Sequence, residues 1–296
     1  LLRFIACAWP ATTKAVLKDA RLTRLLHYEL LLLLGAAIGL SLNDYAIWPQ
    51  LYFKPEIISQ LLLFSISLFF ACLFAINTNN QADVELDAIS NPNRPLVQNT
   101  ISLAHYQAMS WFFLGMTLLY AGFVSGAALI TQLFILGTYY VYSMLPLRIK
   151  RIFLLSKGVI GVNSFALAIL GFHIVQGAIF YFPWQLGLIL LLGFSLCANV
   201  IDIKDVEADR KHGIRTLPTV LGVRSAQYGI ALSFFITYFS FYFLVPDFRL
   251  LPIMITGAGL QFYFITRVPY QEKPVFILEN VSLILLIGYL LLNKLL

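Results

Sequence analysis

Of the chain's 296 residues, 60% are hydrophobic and only 11% are charged, with a mean hydropathy of +0.83. A soluble domain carries roughly 25% charged residues, so the soluble globular classes are excluded. The formal charge of +6 and pI near 9.2 follow from membrane topology, as argued below, and call for no nucleic-acid partner.

Apolar stretches long enough to cross a bilayer, about 17–25 residues each, fall at 25–43, 57–77, 103–123, 126–144, 157–175, 182–201, 225–245, 250–266 and 275–293. They predict nine transmembrane helices, the eighth short and containing Pro252. The sequence begins at Leu1, so a few residues are expected before it, and no secretory signal precedes the first span. Placing the N-terminus in the cytoplasm puts seventeen of the twenty basic residues on that side. These are Arg3, Lys14, Lys18, Arg21 and Arg24, then Arg94, the Arg148–Lys157 group, the Lys204–Arg224 group, and Arg267 with Lys273. Only Lys54, Arg249 and Lys294 remain outside, as the positive-inside rule requires. A basic cytoplasmic face also suits anionic lipid.

The three long polar loops, 78–102, 145–156 and 202–224, then lie on the cytoplasmic side. Two of them carry acidic clusters, Asp83-Val84-Glu85-Leu86-Asp87 and Asp205-Val206-Glu207-Ala208-Asp209 with Asp202 just before. Together they hold seven of the chain's fourteen acidic residues. The D-V-E-x-D string recurs after about 122 residues, which suggests an internal duplication. The expected organisation is a single domain, 1–296, with pseudo-repeat halves near 1–150 and 151–296.

Carboxylates concentrated at the edge of a membrane core are costly unless neutralised. Asn79, Asp83 and Asp87 are spaced i, i+4, i+8, which stacks them over about 12 Å of one helical face. Asp202, Asp205 and Asp209, at i, i+3, i+7, would share a face in the same way, with Glu85 and Glu207 turned away. Such oxygen rows suit Mg²⁺, which takes carboxylates together with substrate phosphate oxygens. Two rows opposed across a cavity would clamp a diphosphate through bridging metals.

These residues match a known pattern. The chain resembles the UbiA superfamily of intramembrane prenyltransferases, with an N-x-x-x-D-x-x-x-D run after helix 2 and an aspartate-rich run after helix 6. Asn91-Pro92-Asn93-Arg94-Pro95-Leu96 is similar to the family's N-K-P-x-R-P-L. Arg210-Lys211-His212-Gly213-Ile214-Arg215-Thr216-Leu217-Pro218 resembles its R-x-x-G-I-x-T-L-P. Tyr142-Ser143-Met144-Leu145-Pro146-Leu147-Arg148-Ile149-Lys150 is similar to Y-S-x-P-P-L-R-L-K. The departures are Asn80, where many members carry aspartate, Ile201, where some carry Asn or Asp, and Ala208 in place of a glycine.

The resemblance implies an all-α integral membrane fold, nine transmembrane helices in a bundle around a central cavity, with cytoplasmic acidic helical loops after helices 2 and 6. It implies Mg²⁺, expected as two ions, on Asn79, Asp83, Asp87, Asp202, Asp205 and Asp209. Isoprenyl diphosphate would be the donor and a hydrophobic or aromatic molecule the acceptor, within membrane lipid. Ionisation would give an allylic carbocation that the acceptor captures. The leaving group's growing charge requires further cations: Arg94, Arg148 and Lys150, with Lys204 and Arg210 in reserve, although membrane topology alone also accounts for basic residues there. Tyr142 is the candidate ring for stabilising the cation. Asp83, Asp87, Asp205 and Asp209 would carry the catalytic ionisation. Two alternatives use the same acids: a terpene cyclase, in which the substrate's own double bond captures the cation, and a secondary transporter with ion-binding carboxylates.

The remaining polar features read as structural. Cys7, Cys72 and Cys197 have no metal-ligand spacing and suit packing, and His27, His105, His173 and His212 show no ligand spacing. Gly35 and Gly39 form one G-x-x-x-G, which serves helix packing within the chain or dimerisation equally well.

Overall fold

The computed structural model describes residues 22–42, 54–144, 146–153, 155–211 and 213–293. Arg3, Cys7, Lys14, Lys18, Arg21, Leu145, His212 and Lys294, used in the topology and motif readings, lie outside the described residues. Among the described residues all regular structure is helical.

The chain forms two compact units, Leu1–Leu25 with Leu63–Leu147, and Leu26–Leu62 with Arg148–Leu296. The helices in chain order are α1 (Leu22–Ser41), α2 (Pro55–Ala82), α3 (Val84–Ser90), α4 (Leu103–Val124), α5 (Gly126–Ser143) and α6 (Leu155–Gln176). After these come α7 (Trp184–Cys197), α8 (Val206–Lys211), α9 (Leu217–Leu221), α10 (Val223–Leu244), α11 (Leu251–Thr266) and α12 (Glu272–Leu292). Among the described residues, six helical segments are long and apolar enough to cross a membrane: α2, α4, α6, α7 with its extension to Ile203, α11 with the turn before it, and α12. The protein is a multi-pass membrane protein.

In the first unit, Ser125 ends α4 in an extended conformation and caps α5, its hydroxyl accepting from the Ala128 N–H at 3.1 Å. One residue thus serves two helix ends, satisfying an orphan donor. Ser67 donates to the Thr117 carbonyl at 2.8 Å, tying α2 to α4. Phe74, Tyr106, Met109 and Phe113 fill the core between them.

In the second unit, α1 crosses α6 with the backbones nearly touching. A Cβ added to Gly35 would lie 1.9 Å from the Ala168 carbonyl oxygen, and one added to Gly171 would lie 1.9 Å from that of Leu32. A Cβ on Gly39 would meet Val175 at 3.1 Å. The G-x-x-x-G of α1 therefore serves an intramolecular crossing, where small residues let helices approach. Pro252 falls in the first turn of α11, where a missing N–H costs nothing. The carbonyls at the other end of α11 accept from Gln227 (Ile265, 2.8 Å) and Arg224 (Thr266, 2.7 Å).

Candidate functional site

The first acidic cluster sits where α2 gives way to α3. The predicted single helical face is interrupted: α2 ends at Ala82, and Asp83 takes a non-helical conformation as the N-cap of α3. The register nonetheless survives, because the Asp87 N–H bonds the Asp83 carbonyl at 2.8 Å. Asp87 is buried, 5% exposed, and the equally enclosed Arg94 donates from Nη1 to its Oδ2. Asn91 donates to the other oxygen at 3.2 Å. Burial pushes the Asp87 carboxyl up from its ordinary value, against the pull of Arg94 and Asn91.

Asn80 places the guanidinium. Its Oδ1 accepts from Arg94 Nη1 at 2.9 Å, while its Nδ2 donates to the hydroxyl of the fully buried Tyr106 at 3.0 Å. Asn79 accepts from Ser143 at 3.2 Å, which ties the cluster to the end of α5 next to the half-buried Tyr142. An amide at position 80 thus does work that a carboxylate there would change, since only an amide both accepts from Arg94 and donates to Tyr106.

The second cluster departs further from its predicted face. Ala198–Ile203 form a 3-10 turn, a two-residue break follows, and α8 begins at Val206. Asp202 is buried, Asp205 is exposed and Asp209 is half-buried, so the three acids do not share one environment. Backbone bonds still link them in series, from Asp205 N to Asp202 O (3.2 Å) and from Asp209 N to Asp205 O (2.9 Å).

Asp202 is neutralised by a residue outside the predicted set. Lys157, itself 7% exposed, donates from Nζ to Asp202 Oδ1 at 2.6 Å. The other carboxylate oxygen is buried without a hydrogen-bond partner. Lys157 lies in the first turn of α6, the end where a helix dipole disfavours a cation. A lysine against the dipole at the head of an apolar helix is a sequence signal that would have found it. Asp209 accepts from Thr216 at 3.4 Å. Its carboxyl is held at about 6 by burial and by the charges of Asp202 and Asp205, with Lys157 opposing.

The other predicted cations divide. Lys204 is engaged at the surface with Glu272 at 2.5 Å, a partner its sequence position does not reveal. Arg210 is exposed. Arg148 is half-buried with φ +41°, left-handed for a non-glycine residue, and heads the 3-10 turn Ile149–Arg151 that holds Lys150. Strain of this kind persists only where surrounding structure imposes it.

Among the described residues, no three His, Cys, Asp or Glu side chains converge closely enough to hold a metal by themselves. The donor set still fits Mg²⁺, because it is all oxygen and includes the unpartnered Oδ2 of Asp202. That ion also takes oxygen ligands from a phosphorylated substrate.

The model of the UbiA prenyltransferase family matches residues 32–274. The chain belongs to that family. It is accordingly an enzyme of the prenyltransferase class. It is 28% identical over 216 residues to digeranylgeranylglyceryl phosphate synthase of Pyrococcus horikoshii, covering 69% of each chain. It is 29% identical to homogentisate solanesyltransferase of Arabidopsis thaliana over 221 residues, 68% of this chain and 57% of that one. Its fold matches a UbiA homolog from Archaeoglobus fulgidus bound to GPP and Mg²⁺, with TM-score 0.73, 18% identity, and coverage of 93% of this chain and 98% of that chain.

Two predictions follow the charge pattern. Lys157→Met leaves Asp202 buried without its cation and should cost about 3–5 kcal/mol, whereas Lys157→Met with Asp202→Leu should recover most of that stability. Thermal unfolding in detergent checks both, and equal losses in the single and double variants would contradict the pairing. The Asp209 prediction depends on sign. Its folded value, about 6, lies above its ordinary 3.8, so folding costs nothing extra below about pH 3.8, where both states are protonated. The penalty grows as pH rises to about 6 and persists above it. Asp209→Asn should therefore raise the unfolding temperature near pH 7.5 and leave it unchanged near pH 3.5. A shift that does not vary with pH would count against this assignment.

Proposed function

We propose that this chain transfers an isoprenyl group from an isoprenyl diphosphate to a hydrophobic or aromatic acceptor inside the membrane. The observation that carries the reading is the pair of acidic clusters, each combining buried carboxylate with a buried cation, in a chain of the UbiA family. The names of the relatives support it, since they include synthases acting on a lipid-like acceptor and an aromatic one.

In this reading Asn79, Asp83, Asp87, Asp202, Asp205 and Asp209 supply the oxygen ligands for Mg²⁺. When bound, that ion acts as a Lewis acid that stabilises charge on the departing diphosphate. Arg94, positioned by Asn80 and Tyr106, meets the diphosphate's growing negative charge, as do Arg148 and Lys150. Lys157 joins them because it already sits on Asp202 at 2.6 Å. The C–O bond breaks heterolytically, its electron pair leaves with the diphosphate, and the acceptor's nucleophilic atom captures the allylic cation while releasing its proton, for which the departing diphosphate is an available base. Tyr142 offers a ring face to that cation, and the apolar surroundings keep out water that would quench it. We read the chain as nine crossings with the N-terminus and the acidic loops in the cytoplasm, and two Mg²⁺ ions at the site.

Asp83→Ala and Asp205→Ala should each lower Mg²⁺-dependent diphosphate release by roughly 100-fold or more, measured on purified protein with an isoprenyl diphosphate and an acceptor. Full activity in both variants would refute the assignment. The same assay separates transfer from cyclisation, because hydrocarbon products formed without an acceptor would favour a cyclase.

A further inference from the structure

The second acidic cluster is held in place by the connection between α11 and α12. The 3-10 turn Ala198–Ile203 carries Asp202, and its buried Val200 and Ile203 share an apolar core with Ile265 at the end of α11 and Val275 in the first turn of α12. The connection between those two helices, residues 267–271, is itself anchored. Gln227 and Arg224 of α10 bond the last carbonyls of α11, and Gln261 of α11 donates to the Val275 carbonyl at 3.1 Å.

Two polar links join this anchored connection to the turn, one on each side of Asp202. The Tyr270 hydroxyl donates to the Val200 carbonyl at 3.1 Å, two residues before the acid. Glu272, which opens α12, accepts from Lys204 at 2.5 Å, two residues after it. The links are unequal. Lys204 is 42% exposed, and exposed ion pairs contribute little, whereas Tyr270 is half-buried and its bond is directional. Burial, then the charges of Glu272 and Asp205, push the Tyr270 phenol above its ordinary value, so the hydroxyl keeps its proton and remains a donor.

What Tyr270 holds has consequences along the cluster. A 3-10 turn has poorer hydrogen-bond geometry than an α-helix, so it gains from an outside anchor. The acids that follow are linked to it in series, Asp205 N to Asp202 O and Asp209 N to Asp205 O. Lys157 fixes one oxygen of Asp202 and leaves Oδ2 buried and unpartnered. With the side chain pinned at one oxygen, the backbone of the turn decides where the other points.

We propose that Tyr270 is a positioning residue for the second acidic cluster: by holding the Val200 carbonyl it sets the orientation in which Asp202 and Asp205 offer oxygen to Mg²⁺ and diphosphate. It acts through the backbone of the turn and not on metal or substrate. The role rests on the ligand function proposed for those acids in the transfer reaction.

Tyr270→Phe removes the donor and keeps the ring, so the apolar packing stays. In purified protein in detergent, Mn²⁺ binding in the presence of inorganic diphosphate, followed by electron paramagnetic resonance, should weaken about three- to tenfold, the worth of one hydrogen bond. Hydrogen exchange at the amides of residues 199–205, measured by mass spectrometry without metal, should quicken by a similar factor while that of α4 stays unchanged. Both are read well below the unfolding temperature, where a loss of stability alone leaves the affinity unmoved. Glu272→Gln should change the Mn²⁺ affinity by no more than about twofold. Asp205→Asn is the reference, and it should remove the gain in Mn²⁺ affinity that diphosphate brings. If diphosphate brings no gain to the unaltered protein, or if the gain survives Asp205→Asn, the ligand function of the acids fails and the role of Tyr270 fails with it. If the gain depends on Asp205 while Tyr270→Phe keeps full Mn²⁺ affinity, the positioning role alone is overturned. Unchanged exchange at 199–205, or a larger loss in Glu272→Gln than in Tyr270→Phe, would overturn it equally.

Discussion

The constraint on which this protein is built is the cost of charge in an apolar environment. A carboxylate taken out of water without a partner is destabilising by several kcal/mol, yet the chain buries Asp87 and Asp202. Each is supported by a buried cation, Arg94 for the first and Lys157 for the second. Both pairings are long in sequence terms or awkward in local terms. Arg94 is fixed by a side-chain relay through Asn80 to Tyr106, and Lys157 sits at the helix end where a cation is least welcome. Neither arrangement is the cheapest way to stabilise a helix bundle, since apolar replacements of buried pairs are often neutral or stabilising. The chemical use proposed for them gives a reason to keep them.

That use follows from what the pairs leave open. One oxygen of Asp202 is satisfied and the other is not. Asp209 is held at about 6 by burial and by its neighbours' charge, so an added cation would relieve repulsion already present. The clusters are thus poised to gain from a bound cation while remaining folded on their own cations. The same lysine and arginine that neutralise carboxylate are available to neutralise phosphate, because both anions offer oxygen acceptors to the same donors.

Much of this was legible in the sequence. Hydropathy alone located the apolar helices closely: the predicted 103–123 and 157–175 correspond to Leu103–Val124 and Leu155–Gln176. Motif spacing singled out the acidic residues because carboxylates are conspicuous in an apolar chain. The helical faces failed at the details. A continuous α-helix was assumed through Asp83 and through Asp202–Asp209, whereas the chain breaks at the first and tightens into a 3-10 turn in the second. Strings of equal spacing therefore acquired unequal burial. Lys157 was read only as a topological charge, and the ion pair of Lys204 with Glu272 was not foreseen. Pairings across 45 and 68 residues leave no periodic trace.

The central claim of the proposed function is that the acidic clusters hold a divalent cation together with diphosphate rather than as self-sufficient metal sites. A titration of Mn²⁺, followed by electron paramagnetic resonance with and without inorganic diphosphate, tests it most directly. Affinity should rise by about tenfold or more when diphosphate is present, and Asp83→Asn or Asp205→Asn should remove that gain. Equally tight Mn²⁺ binding without diphosphate, or a gain that survives both substitutions, would contradict it.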